Sequence, residues 1–267
     1  MTPSVAMTQP STTRWRPPLL WRFLLVVARG LAATLCRLRV VGDVPAGLRD
    51  GPLILAVNHV SPFDPVVLAA ACRVRGIAPR VMATGGLFRA PIVGPLMRAC
   101  GHIRVERGSA SVANALPAAV EAVREGSVVA GYPEGRIGLD PAMWPERGKT
   151  GLARLAFRTG AVVVPVALWG PHEVLPYSAP KGMARALLRA VRRRPVVWVG
   201  FGAPVDLSGL SGEVPGDAAR ATDRILDGVV VAMVPLRVDE PEGPRYVDPT
   251  RPTSLTRARP RMDRRGA

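Results

Sequence analysis

Asn58-His59-Val60-Ser61-Pro62-Phe63-Asp64 stands between an apolar run, residues 53–57, and a stretch of helical character, residues 65–73. The run reads as a short buried strand and the following stretch as the opening turns of a helix. A histidine and a carboxylate are therefore held at a strand-to-helix junction, where loops of α/β proteins carry chemistry. Asp64 follows His59 by five positions, with Pro62 bending the chain between them. That spacing lets the carboxylate fold back on the imidazole, accept the proton of one ring nitrogen and leave the other as an unprotonated base. The pair is the orienting half of a triad and requires no protein nucleophile. A His-X4-Asp string alone also fits a hydrogen-bonded structural histidine, so the surrounding chain has to decide.

Outward from this junction, strand and helix patterns alternate. Residues 40–44 read as a strand entering the turn Pro45-Ala46-Gly47, and residues 80–83 as another, followed by a Gly-rich loop and the apolar Pro91-Ile92-Val93-Gly94-Pro95. Gly101-His102-Ile103-Arg104-Val105-Glu106-Arg107 reads as a strand that ends in an arginine. A helix over 111–124 has Val112, Leu116, Ala119, Val120 and Val123 on one face, Pro117 to kink it and Gly126 to stop it. A strand over 127–130, a helix over 147–159 with Lys149 in its first turn, and a strand over 162–168 follow. A basic helix, 181–194, leads into 196–202, read as an edge strand, and 217–233 form a final helix. The alternation predicts an α/β fold with a largely parallel central sheet flanked by helices on both faces.

Three further stretches accompany the heptad: Gly101 to Arg107, Tyr132-Pro133-Glu134-Gly135-Arg136, and Val163-Val164-Pro165-Val166-Ala167. In this order and at these separations the four resemble the sequence blocks of the glycerolipid acyltransferases, the 1-acyl-glycerol-3-phosphate acyltransferases and their relatives, over residues 40–205. The resemblance implies transfer of an acyl group from acyl-CoA or acyl carrier protein to the free hydroxyl of 1-acyl-sn-glycerol 3-phosphate, giving phosphatidic acid, with His59 and Asp64 catalytic and no further cofactor. It also assigns glycerophosphate binding to Arg107, Glu134 and Gly135. Glu134 would repel a phosphate, so contact with an acceptor hydroxyl or an arginine is the expectation, and Gly135 lets backbone approach a ligand. Arg136 and Lys149 are further cations that suit phosphate oxygens, and the residues 91–95 suit a wall for an acyl chain or a packed loop. Two departures stand out. Tyr132 replaces the usual phenylalanine and Arg136 follows Gly135 one position early, while Thr84 stands near the place of a family lysine. Another lysophospholipid, an ornithine lipid or a glycolipid is the alternative acceptor, and a basic peripheral membrane protein that binds lipid without turnover is the alternative from another class. Ser61 lacks the G-x-S-x-G setting of a nucleophile.

The chain has 267 residues, a formal charge of +16, 48% apolar residues and only 5% aromatic ones. Such a charge favours polyanions. With no zinc-finger spacing or RNA-recognition signature, an anionic membrane surface is expected rather than nucleic acid. His59, His102 and His172 lack ligand spacing, so no metal is expected. Cys36, Cys72 and Cys100 read as buried small residues in a reducing compartment. Residues 1–13 read as disordered, and 14–39 as a membrane-interface helix. In the latter Arg22, Arg29 and Arg37 share a stripe opposite Leu24, Val27, Leu31 and Leu35. That amphipathic, membrane-associated reading is favoured over a spanning or an ordinary core helix and implies a peripheral position on the cytoplasmic side of the membrane. The acyltransferase-like domain is placed at 40–234. The Pro-, Arg-, Asp- and Thr-rich residues 235–267 show no period and read as a disordered basic tail.

Overall fold

The structure, a computed structural model, describes residues 15–106 and 112–257. Its elements in chain order are α1 (Leu19–Leu35), β1 (Arg37–Val41), β2 (Leu53–Val57), α2 (Asp64–Val74), β3 (Arg80–Thr84), α3 (Gly85–Arg89) and α4 (Val93–Ala99). Then come β4 (Ile103–Val105), α5 (Val112–Arg124), β5 (Val128–Gly131), α6 (Gly151–Thr159), β6 (Val162–Trp169), α7 (Met183–Arg193), β7 (Val196–Phe201) and α8 (Asp217–Met233). The seven strands form one sheet in the order β1-β7-β6-β2-β5-β3-β4. Every neighbouring pair is parallel except β6 and β7. The α/β architecture expected from the alternation is the one observed.

β2 is the centre of this sheet, and all five of its residues are buried. A strand covered on both faces needs a continuous apolar run rather than an alternating one, and Leu-Ile-Leu-Ala-Val supplies it. Leu53, Leu55 and Val57 pack with α2, with the buried ends of α1 and with Ala190 of α7. Ile54 and Ala56 point the other way, into Ala119 and Val123 of α5, Leu152 and Leu155 of α6 and Ile225 of α8. Each of the Leu, Ile and Val side chains contributes about 1.5–3 kcal/mol by leaving water. The rigid strand so produced delivers its last residue, Val57, to the mouth of the fold.

The structure departs from the sequence expectations at several elements. β7 lies inside the sheet, because the short β1 pairs along its whole length and takes the edge. There the residues Arg37, Arg39 and Val41 face solvent. Residues 85–99, expected as a Gly-rich loop and an apolar segment, form the two short helices α3 and α4. α6 begins at Gly151 rather than at 147, for a reason that lies in the site.

α1 uses both of its sides. Trp21, Leu25, Ala28, Ala32 and Leu35 are buried, against Ala69 of α2 and Cys100 among others. Leu19, Leu20, Phe23, Val26, Val27 and Leu31 are exposed, Phe23 to 62%. The expected apolar side of Leu24, Val27, Leu31 and Leu35 is thus split between a packed face and an open one, and Arg37 falls outside the helix, in β1. Among the described residues no helix is long and apolar enough to cross a membrane.

Beyond α8 the composition suggested a chain without order. A 3-10 turn, Val234–Arg237, is instead followed by a strap, residues 238–257, with no helix or strand but with Asp248 and Arg251 buried. Its anchors combine side-chain and backbone bonds. Trp169 Nε1 donates to Glu240 Oε1 at 2.7 Å, Arg245 bonds Glu173 at 2.8 Å, and Ser254 N–H donates to the Leu139 carbonyl at 2.8 Å.

Candidate active site

The end of β2 is tied off by a side chain. Asn58 Nδ2 donates to the Leu168 carbonyl at 3.0 Å and Asn58 Oδ1 accepts the Leu168 N–H at 2.7 Å. The amide thus completes the β2–β6 ladder while the backbone turns away from the sheet. His59, the next residue, starts the loop that Asp64 closes.

Asp64 is fully buried and opens α2, where the helix dipole favours a carboxylate. Its Oδ2 atom meets three N–H groups: the His59 Nδ1 at 2.7 Å, the Val60 amide at 2.6 Å and the Ser61 amide at 2.9 Å. Since the oxygen accepts throughout, the ring proton sits on Nδ1, and Nε2 keeps its lone pair. His59 retains 18% side-chain exposure, enough to meet a substrate. Its ring stacks on Tyr132 at 4.2 Å between centroids and 21° between planes.

Ser61 is a staple rather than a nucleophile. Its Oγ lies 3.2 Å from the carbonyls of both Pro171 and Leu175 and accepts the Phe63 N–H at 3.1 Å. The loop is therefore held from β2, from α2 and from the segment after β6.

The remaining candidates are placed as follows. Glu134 is only 1% exposed; its carbonyl accepts from Arg257 Nη2 at 3.4 Å, while its carboxylate goes to backbone amides. Its Oε1 accepts the His59 N–H and its Oε2 the Glu146 N–H, both at 3.0 Å. Burial pushes this carboxyl up to about 8, with the nearby Glu146 and Asp64 charges adding to the rise and the two amide donors opposing it. Gly135 has φ +69°, a backbone that L side chains disfavour, and a Cβ there would stand 3.1 Å from the Lys149 Cδ. The Lys149 side chain thus runs over Gly135, and Lys149 itself is exposed. Lys149 precedes α6, because its N–H goes to the Pro133 carbonyl at 2.8 Å and the N–H groups of Glu146 and Arg147 are likewise committed outside a helix. Arg136 donates to the fully buried Glu146 at 3.0 Å, so part of its charge is already answered. Arg107 lies outside the described residues.

A residue with no sequence signal completes the loop. Arg251, from the strap, donates through Nη1 to the Val60 carbonyl at 2.9 Å and through Nη2 to the Gly138 carbonyl. Gly138 N–H in turn donates to the His59 carbonyl at 2.9 Å. Burial lowers the Arg251 pKa, and the surrounding Asp64, Glu134, Glu146 and Asp248 raise it. One guanidinium thus sits among the buried carboxylates of the site and fixes the two loops that meet at His59.

The other two histidines stand apart. His102 accepts the Val81 N–H at 3.1 Å and packs edge-on against Trp21, whereas His172 lies beneath the strap beside Trp169 and Tyr246. All three cysteines are buried, and burial pushes Cys36 to about 11 and Cys72 to about 12.

A histidine oriented by a buried carboxylate stands at the rim of a largely parallel sheet, and comparison with known proteins gives the family. The chain belongs to the acyltransferase family, whose model, described as Acyltransferase, matches residues 37–169. A chloroplastic 1-acyl-sn-glycerol-3-phosphate acyltransferase of Brassica napus is 26% identical over 159 residues, 59% of this chain and 43% of that one. An uncharacterized protein of Mycobacterium tuberculosis is 30% identical over 138 residues, 48% of this chain and 36% of the other. The chain therefore spans about two-fifths of the length of the curated relatives it matches. The crystal structure of the 1-acyl-sn-glycerophosphate (LPA) acyltransferase PlsC from Thermotoga maritima shares the fold, with a TM-score of 0.56 at 19% identity over 78% of this chain and 79% of that one.

Proposed function

We propose that the chain transfers a fatty acyl group from an acyl thioester to the free hydroxyl of 1-acyl-sn-glycerol 3-phosphate, giving phosphatidic acid. The observation that carries this reading is the His59 Nδ1 to Asp64 Oδ2 contact of 2.7 Å, made by a carboxylate oxygen that two backbone amides also hold. The ring is oriented as a base, and Ser61, beside it, is engaged elsewhere. The acceptor hydroxyl therefore attacks the thioester carbon directly while His59 Nε2 takes its proton. As the tetrahedral oxyanion collapses, the carbon–sulfur bond breaks, and the imidazolium returns the proton to the thiolate. Asp64 stabilises the imidazolium in between. No acyl-enzyme and no cofactor beyond the thioester co-substrate is used.

Among the described residues, the exposed Lys149, whose side chain runs over Gly135, is assigned the acceptor's phosphate in this reading. The engagement of Arg136 by Glu146 favours, as a second reading, the same chemistry on a lysolipid with a different headgroup. Open apolar residues on α1, with the exposed Arg22 and Arg29 beside them, support a peripheral position on the anionic cytoplasmic face of a membrane. Exposed Leu188 and Val191 of α7, next to Arg185 and Arg192, extend that surface.

The test is thiol release from a long-chain acyl-CoA or acyl carrier protein by the full chain in detergent, with and without 1-acylglycerol 3-phosphate, beside His59→Ala. Acceptor-dependent release that the substitution abolishes supports the proposal. Release with only another lysolipid moves the acceptor, and release independent of His59 removes the mechanism.

A further inference from the structure

Away from His59 the structure contains a cleft of roughly 200 Å³ walled by Arg37, Arg189, Arg193, Arg245, Glu173 and Tyr246. Four arginines line this space with one carboxylate, Glu173, and Glu240 and Asp239 also act on Arg245 from nearby. Three of the four are held there. Arg245 bonds Glu173 at 2.8 Å, Arg189 stands 4.8 Å over the Tyr246 ring, and Arg37 Nε donates to the Arg194 carbonyl at 3.0 Å. Arginines on an ordinary surface spread out and are screened by solvent. Here they converge on a concavity with room for one or two phosphoryl groups, and their planar forks match phosphate oxygens.

The position of the cleft narrows the ligand. β7 runs antiparallel to β6, with Trp198 opposite Trp169, and Arg37 pairs with Val196. The start of β7, the start of β1 and the turn carrying Glu173 therefore all lie at the end of the sheet where β2 presents His59. With about 4.8 Å between neighbouring strands, the two or three steps from β2 to β7 and β1 place the cleft about 10–15 Å along the same rim. The strap links the two places, because it supplies Arg245 and Tyr246 to the cleft and Arg251 to the His59 loop.

Resting on the acyl-transfer reading, we propose that this arginine cleft binds the phosphate or diphosphate end of the acyl donor's phosphopantetheine arm, holding the thioester at His59 from a distance. The arm is extended and carries its phosphate at the end remote from the sulfur, as the separation of the two places requires. Acyl-CoA and acyl carrier protein both present that group. A membrane lipid offers the same phosphate chemistry, so the test separates them.

Two measurements on the full chain in detergent decide the matter. In the first, inorganic pyrophosphate and CoA are titrated calorimetrically into the wild type and into a double variant, Arg189→Gln with Arg193→Gln, whose positions on α7 make unfolding easy to check by circular dichroism. Both probes are expected to bind the wild type and to bind the variant at least tenfold more weakly. In the second, acyl transfer is compared with acyl-CoA and with acyl-pantetheine, which lacks the phosphates. The variant is expected to raise KM for acyl-CoA at least tenfold, and this difference from the wild type should vanish with acyl-pantetheine. Equal losses with both donors, or no binding of either probe to the wild type, would overturn the proposal. So would a variant with unchanged donor KM but weakened sedimentation with phosphatidylglycerol vesicles, because the phosphate would then be a lipid's. If neither donor supports transfer yet CoA binding depends on the two arginines, the acyl-transfer reading fails and phosphate recognition by the cleft stands.

Discussion

Replacing Arg251 by alanine tests whether the strap is part of the site. The substitution removes the donors to two carbonyls, Val60 and Gly138, both within one residue of an atom that positions His59. Hydrogen bonds from a charged donor are worth about 1.5–3 kcal/mol each. Removing a buried cation also leaves the neighbouring carboxylates Asp64, Glu134 and Glu146 less compensated, and breaking a buried charge network costs about 3–5 kcal/mol. Since the terms overlap, a loss of about 3–5 kcal/mol of unfolding free energy is expected, within the roughly 5–15 kcal/mol of a typical domain. The variant should therefore fold. Under the proposed mechanism, misplacing His59 by about 1 Å costs about a hundredfold, so kcat should fall by about ten- to a hundredfold. Arg251→Lys keeps the charge and reaches one carbonyl, and should fall between. Denaturant melts and initial-rate kinetics on the three proteins provide the measurement. An alanine variant within 0.5 kcal/mol of the wild type and with undiminished kcat would refute the reasoning and leave the strap a passive cover.

Two further outcomes follow from the buried groups around His59. With the Glu134 carboxyl at about 8 in the folded chain against an ordinary value of 4.5, the unfolded chain ionises first as pH rises. Wild-type stability should then fall between pH 4.5 and about 8 and level off above, relative to Glu134→Gln, which lacks the titrating group. Parallel stability curves for the two proteins across that window would show that the carboxyl is ionised throughout. Among the described residues, the Tyr132 hydroxyl is buried with no hydrogen-bond partner. Tyr132→Phe keeps the ring against His59, so stability should be unchanged or higher by about 1 kcal/mol and kcat within about twofold, whereas a tenfold loss of kcat would give the hydroxyl a part in the reaction.

What the sequence disclosed and what it withheld divide along sequence separation. The His59–Asp64 pair was legible because both ends of the contact lie in one turn, and β2 was legible because five consecutive apolar residues before that turn fit only a covered strand. Residues 217–233 carried a period strong enough to mark α8 at both ends. Arg251 was illegible. Its partners are 191 and 113 residues away, and the strap is held down by isolated side-chain and backbone bonds that leave no periodic trace. The contacts of Glu134 were not legible, since an acidic residue beside a glycine says nothing of the two amides that will flank it. The late start of α6 has the same origin, because amides that a local pattern assigns to the first turn are claimed by distant acceptors. β7 was misplaced for lack of its neighbour: β1 alternates exposed and half-buried residues over only five positions, too little to announce that it takes the edge.

The order of the strands carries a consequence for how the chain comes into being. Among the described residues β1 is made first of the seven strands and pairs only with β7, the last, and Arg251 emerges from the ribosome later still. The first strand must wait, unpaired, for most of the domain to be translated, while β2, β5 and β6 join as they appear. The His59 loop is spoken for by local bonds as soon as Asp64 is out, but its final brace arrives with the strap. A nascent chain halted after α8 would therefore carry a finished sheet and an unfinished site, which makes the residues that looked least structured the last step in becoming competent.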